Sequence, residues 1–348
     1  MSEPEPLDVA TLTEWLDQKN VGSGPIENVT RLAGGTQNIL VRFSRSGKDY
    51  VFRRPPLHKR SNSDETMRRE ARLLAALTGS DVPHPRLVAS CDDLDVFGYV
   101  FFVMEAVDGF TATTEVPEPV AASPEMQHAM GLSIVDGAAL LSHVDPALVG
   151  AEQVARADGW LDRQVGRWRR QLDSYHDLEG WPGPQLDGVD EIGRWLDENR
   201  PTAWTKGIIH GDYHFGNVMF RRDRPQVAAI VDWELGTVGD PLLDLGHLLA
   251  SWPNPDESRT VGLARQLDGL PPRAELIARY GQVSGRDMTD FDWYQVLACY
   301  RLGIILEGTH ARACAGKADL ELGRHFHGVS QSLLDQALRL THAPHQTR

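Results

Sequence analysis

The stretch IIHGDYHFGNVMF, residues 208–220, decides the fold. It sets two histidines, an aspartate and an asparagine between two short apolar runs. By type and spacing, His210, Asp212 and Asn217 form H-x-D-x-x-x-x-N, and Asp232 comes fifteen residues later, directly after the apolar run VAAIV. A carboxylate at the end of a strand, facing a loop with Asp and Asn, suits Mg²⁺. That ion takes oxygen ligands, commonly one or two carboxylates with water and substrate phosphates. Asn217 can offer a carbonyl oxygen and Asp232 a carboxylate. Asp212 can lie close by without ligating the metal. There it can accept the proton of a substrate hydroxyl, or orient that hydroxyl for in-line attack.

The rest of the chain bounds this reading. Its 348 residues are enough for two domains or one large two-lobed unit, and 41% hydrophobic with 24% charged is ordinary for a globular protein. A net charge of −14 argues against nucleic acid and anionic membranes as partners. The three cysteines, Cys91, Cys299 and Cys314, are far apart and form no CxxC, which argues against a disulfide framework or a cysteine zinc site. The first residues, MSEPEPLDVATL, are acidic without an apolar signal region, and no run of 18 apolar residues occurs. The expectation is a cytoplasmic protein.

Residues 8–20 read as a short amphipathic helix. β character follows: Ile39, Val41 and Phe43 alternate, as do Tyr50 and Phe52, with Ser46-Gly47 as the turn between them. RLVAS (86–90) and FGYVFFVME (97–105) read as two more strands. Between the pairs lies a helix, 63–79, capped by Ser63 or Asp64. Residues 115–125 read as a loop. From about 110 the chain is helical, interrupted by a β island formed by the opening stretch and PQVAAIVDWE (225–234). In the helix over 63–79, Glu70 sits inside a stripe of Met67, Leu73, Leu74 and Leu77. An unpaired buried carboxylate costs several kcal/mol, roughly, so a cation should meet it. LAGGTQNIL (32–40) carries Gly34-Gly35, where the backbone can approach phosphates closely. Gly35 and Thr36 are the candidate contacts.

Taken together these pieces resemble the aminoglycoside phosphotransferase and choline kinase-like branch of the protein-kinase-like superfamily. HGDYHFGN matches its catalytic loop, VDWE stands where protein kinases carry D-F-G, and GDPLLDLG (239–246) matches a following segment. YVFRRPP and DGWLDRQVGRWRRQ are similar to the kinase-like domains associated with acyl-CoA dehydrogenases. The resemblance implies an α+β, two-lobed protein-kinase-like fold: a small antiparallel N-lobe with one helix over residues 1–105, and a larger, mainly helical C-lobe over 106–348. It implies ATP and Mg²⁺ as cofactors and a small-molecule hydroxyl as acceptor, with a hydroxyacyl-CoA or another metabolite preferred to an antibiotic. Asp212 would be the catalytic base or orienter, and Asn217 and Asp232 the metal ligands. Arg53, set by Glu70, would hold nucleotide phosphates where most kinases use lysine; if Arg54 faces the cleft instead, the register moves by one. The backbone of Glu105 and Val107 would meet adenine.

Blander readings stand beside these. His210 reads as a structural histidine, although His210, Asp212 and His214 also spell H-x-D-x-H, a transition-metal pattern. Asp240 before Pro241 reads as a helix cap. Asp244 either holds the catalytic loop or lies on a solvated face, and Glu234 is either a secondary metal residue or an exposed carboxylate. Trp160, Trp168, Trp195, Trp252 and Trp293 read as core or cleft wall, RRDR (221–224) as a hairpin turn, and RWRRQ (167–171) as an exposed face. The alternative function is a nucleotide-binding pseudokinase acting as a scaffold.

Overall fold

The computed structural model describes residues 7–32, 38–57, 59, 62–150, 153, 156–253, 263 and 266–342. Its first part is a five-stranded antiparallel sheet in the order β1-β2-β3-β5-β4. The strands are β1 (Glu27–Arg31), β2 (Ile39–Arg45), β3 (Lys48–Arg54), β4 (Leu87–Cys91) and β5 (Phe101–Glu105). Ser46 and Gly47 both take positive φ, +53° and +73°. That gives the two-residue turn whose twist matches an antiparallel hairpin.

Strand alternation decides what each face carries. Phe43, Phe52, Phe101 and Val103 point to one side, where helix α1 (Val9–Gln18) buries Leu12, Trp15 and Leu16 against them. Asp8 caps α1, accepting from the Ala10 and Thr11 amides at 3.0 and 3.1 Å. Val51, Phe102 and Met104 point the other way, onto α2 (Ser63–Leu77) through Met67, Leu73, Leu74 and Leu77.

Three boundaries differ from the sequence expectation. The α2 N-cap is Asn62, with no side-chain cap bond; Asp64 instead accepts from the Val100 amide at 3.1 Å. Residues 97–100 are not strand: Leu94–Phe97 is a helical turn that Gly98 closes in the left-handed conformation. The 115–125 segment holds a turn of helix at Glu118–Ala121 and the start of the next helix, where Ser123 caps and Pro124 occupies the first position.

The larger part is helical: α3 (Pro124–Leu141), α4 (Gln164–Asp173), α5 (Val189–Glu198), α6 (Leu242–Ala250), α7 (Arg273–Ser284), α8 (Phe291–Cys314) and α9 (Leu320–His342). α8 is buried on nearly all sides, as a central helix should be; α9, α6, α4 and α5 pack on it. Trp160, Trp168, Trp252 and Trp293 are buried, and Trp195 is partly so. No helix among the described residues is long and apolar enough to cross a membrane.

Two small ribbons set the site. β7 (Gly207–Ile209) pairs with β10 (Thr237–Gly239), and β8 (Val218–Phe220) lies between β6 (Phe110–Thr111) and β9 (Val227–Ile230). They bring residues 210–217 beside residues 231–236, and RRDR is the connection between β8 and β9.

Candidate active site

The loop after β7 is held by a buried carboxylate. Asp244 accepts from the His210 amide at 2.6 Å and the Gly211 amide at 2.9 Å; it is 1% exposed, so it is no solvated face residue. Burial pushes its carboxyl up, and the two amides draw it back. Gly211 has φ +82°, and a Cβ there would lie 2.7 Å from the Leu235 carbonyl oxygen. Both facts demand glycine. His210 is fully buried; its Nδ1 accepts from the Asp212 amide and its Nε2 donates to the Val231 carbonyl at 2.9 Å. With both ring nitrogens committed, His210 is the structural histidine and not a metal ligand.

Asp212 projects from this loop with 35% of its side chain accessible. Asn217 Nδ2 donates to Oδ2 at 2.9 Å and to the Asp212 carbonyl at 3.0 Å. That commits the amide group to Asp212 and leaves the Asn217 carbonyl oxygen as the atom to offer a cation. His214 Nε2 lies 3.4 Å from Oδ2, with its Nδ1 accepting from the Gly216 amide. His247 Nε2 lies 3.2 Å from Oδ1. Burial alone would raise the Asp212 carboxyl, but the bonds from His214 and His247 hold it well below the usual carboxylate range.

His247 and its partner Arg301 are site residues that the motifs did not disclose. Arg301 Nη1 donates to His247 Nδ1 at 3.2 Å, so the imidazole proton sits on Nε2, facing Asp212. Arg301 also donates to the Gly211 carbonyl and lies over the Trp168 ring. Burial pushes the His247 pKa down to about 4, against the pull of Asp212. His247 stands in the apolar run LLDLGHLLA and Arg301 in LACYRLGIIL. A polar residue within an apolar helical run is the signal that marks each.

Arg53 faces the cleft, on the Val51 side of β3, while Arg54 points the other way and stacks 4.7 Å from the Tyr99 ring centroid. Arg53 Nε lies 3.0 Å from Glu70 Oε2, close as an ion pair but off line as a hydrogen bond. Its Nη2 donates to Asp232 Oδ1 at 2.7 Å. Burial pushes the Glu70 carboxyl up to about 7, while Arg53 pulls it down; Oε1 also accepts from the Trp233 amide at 3.3 Å. Asp232 takes a left-handed φ of +65°, uncommon outside glycine though tolerated by Asp. Glu234 is half-buried, bonded by Asn38 at 2.9 Å, and burial raises its carboxyl.

Beside these groups lies a cavity of about 460 Å³, a size suited to a nucleotide-sized ligand. Leu40, Val51, Met104 and Met219 give it apolar walls, and Arg53, Asn217 and Asp232 stand among its polar lining. Glu105 and Val107 line it at the lobe connector. The Glu105 amide already donates to the Arg86 carbonyl at 2.9 Å, which leaves the Glu105 carbonyl as its group for a ligand. Gly35 and Thr36 lie outside the described residues.

Asp240 is more than a cap. It accepts from the Leu242 amide at 3.0 Å, but it is also fully buried, ion-paired to Arg286 at 2.9 Å and bonded by the Tyr294 hydroxyl at 2.9 Å.

A two-lobed fold with this loop defines a kinase-like phosphotransferase. The chain belongs to the phosphotransferase enzyme family (APH), whose sequence model matches residues 28–294. A Ralstonia eutropha JMP134 protein, provisionally designated an aminoglycoside phosphotransferase, superposes with a TM-score of 0.78 at 28% identity, covering 95% of this chain and 98% of that one. Aminoglycoside phosphotransferase APH(4)-Ia, solved with AMP-PNP and hygromycin B, shares the fold at a TM-score of 0.58 and 14% identity, covering 96% of this chain and 100% of that one. Acyl-CoA dehydrogenase family member 11 of Gallus gallus is 27% identical over 323 residues, 90% of this chain but 40% of that protein. The chain thus spans about two fifths of that relative's length.

Proposed function

We propose that the protein transfers the γ-phosphoryl group of ATP to a hydroxyl of a small molecule, with Mg²⁺. The observation that carries this reading is that Asn217 and Asp232 line one cleft with the buried Arg53, and that Asn217 binds Asp212 beside it. Asp212 orients the acceptor hydroxyl and takes its proton as the bond to phosphorus forms. Its ionised carboxylate, held low by two imidazoles, is ready for that role at neutral pH. Asn217 and Asp232 supply an amide oxygen and a carboxylate, a donor set that fits a hard dication. When bound, Mg²⁺ neutralises phosphate charge. Arg53, fixed by Glu70, meets the phosphates with a fork that lysine lacks. The Glu105 carbonyl and the Val107 backbone hold the adenine edge.

The match to acyl-CoA dehydrogenase family member 11 supports a hydroxyacyl-CoA or a similar metabolite as acceptor. A second reading, a nucleotide-binding scaffold without turnover, draws on the pairing of Arg53 with Asp232. The test is ³¹P detection of product from Mg-ATP and a panel of hydroxyacyl-CoAs, choline, sugars and aminoglycosides. A product that disappears in Asp212→Ala, with Mg-ATP binding kept, is the expected result. Product formation that survives Asp212→Ala refutes the assigned role, and bound ATP with no product from any acceptor favours the scaffold.

A further inference from the structure

The helices α8 and α9 carry a second polar cluster, separate from the cleft. Glu307 of α8 is fully buried. Its Oε1 lies 2.9 Å from His310 Nδ1, one helical turn on, and its Oε2 lies 2.8 Å from His327 Nδ1 on α9. The Trp181 indole N–H also donates to Oε1, at 3.2 Å. The two imidazole rings are 4.5 Å apart, centroid to centroid. One donor atom from each of the three residues falls within 4.8 Å of the others.

Charge makes this arrangement unusual. A fully buried carboxylate needs compensation: Glu70 and Asp240 have arginines, Arg53 and Arg286, and Asp244 has two backbone amides. Among the described residues Glu307 meets two imidazoles and an indole, none of which is obligately charged. Either a proton held by the histidines or a metal ion must supply the positive charge.

We propose that Glu307, His310 and His327 form a zinc site. Two imidazoles and one carboxylate are the donor set of a borderline cation, not of Mg²⁺ or Ca²⁺. With bonds of about 2.0–2.2 Å, tetrahedral donors stand roughly 3.3 Å apart, so whichever Glu307 oxygen binds, its present imidazole contact needs to open by about half an ångström. The accessible His327 side chain, 28% exposed, can make that movement and leaves room for a water as fourth ligand. Each imidazole binds through Nδ1 and carries its proton on Nε2. In that tautomer His310 donates toward Cys314 Sγ, which lies 3.5 Å from its Nε2, and the Trp181 indole holds the carboxylate in place. The two helices pack closely beside the site. Gly323 permits so close an approach of α9 to α8 that a Cβ there would lie 2.4 Å from the Ala313 methyl.

The test uses the full chain, freed of metal by chelation and titrated with zinc alone by calorimetry, with Co²⁺ as a spectroscopic probe. The expected result is one tight equivalent, visible bands of tetrahedral cobalt, and a rise in thermal midpoint with zinc. His310→Ala and His327→Ala should each lose more affinity than the roughly 10–100-fold that follows loss of an outer partner. His128→Ala, which removes an exposed histidine paired with Glu275, should leave binding unchanged. Absence of zinc binding to the wild type overturns the proposal and assigns the charge to a proton. So does binding that persists in His327→Ala, the variant on the accessible side chain and therefore the safer for folding.

Discussion

Replacing His247 with leucine isolates what positions Asp212. The substitution removes the Nε2–H that faces Oδ1 at 3.2 Å and leaves Arg301 Nη1 without its acceptor. A hydrogen bond to a charged group contributes about 1.5–3 kcal/mol. If that contribution is expressed at the transition state, kcat falls roughly ten- to 150-fold. KM for ATP should hardly move, because His247 touches no residue that faces the phosphates. His247→Gln can place a side-chain N–H in the same position and should recover most of the rate. The assay is steady-state phosphoryl transfer to whichever acceptor the panel yields. Stability gives an independent reading. The folded imidazole titrates near 4 instead of 6.5 because it is buried. Between these values the unfolded chain binds the proton and the folded one does not. The contribution is therefore whole above pH 6.5 and lost as pH falls to 4, by about 3 kcal/mol. Urea unfolding of His247→Leu should lack that component of the pH dependence. A folded leucine variant with unchanged kcat would falsify the positioning role; equal losses in Leu and Gln would assign the effect to packing.

Three further outcomes are expected. Asp232→Ala should weaken Mg-ATP binding measured by calorimetry, and unchanged affinity removes this carboxylate from the metal site. Arg53→Ala leaves Glu70 buried without its cation and should cost about 3–5 kcal/mol in urea unfolding; a loss under 1 kcal/mol, on the order of a surface pair, contradicts the pairing. Gly211→Ala forces a methyl toward the Leu235 carbonyl at positive φ. It should lower stability by about 1–3 kcal/mol and reduce turnover, and a neutral thermal midpoint refutes the strain.

Much of the fold could be read from local pattern. Alternation in β2 placed Ile39, Val41 and Phe43 on one buried face, and the apolar stripe around Glu70 required a cation that the structure supplies as Arg53. Spacing alone brought Asp212, Asn217 and Asp232 under suspicion. What escaped depended on contacts between distant segments. His247 and Arg301 are 54 residues apart, and Arg301 reaches Gly211 across 90. No local period links such positions. Yet the reasoning used for Glu70 applies unchanged to Arg301, a charge inside an apolar helix, and to Glu307. Asp240 was underestimated for a related reason. A cap explains one oxygen's bond to an amide but not a fully buried carboxylate, whose arginine partner lies 46 residues away.

The tripeptide Asp232-Trp233-Glu234 is gripped four times from the sheet and its helix. Arg53 takes the Asp232 carboxylate, Glu70 the Trp233 amide, Arg69 the Glu234 carbonyl and Asn38 the Glu234 carboxylate. This short piece of chain therefore ties the two lobes together, beside contacts such as the Ile230 amide on the Pro83 carbonyl. They cannot part without stripping Asp232 of its arginine and baring the Trp233 N–H to solvent. Lobe separation and loss of the Arg53–Asp232 pair are one event, so the exchange rate of the Trp233 amide proton reports how often the cleft gapes.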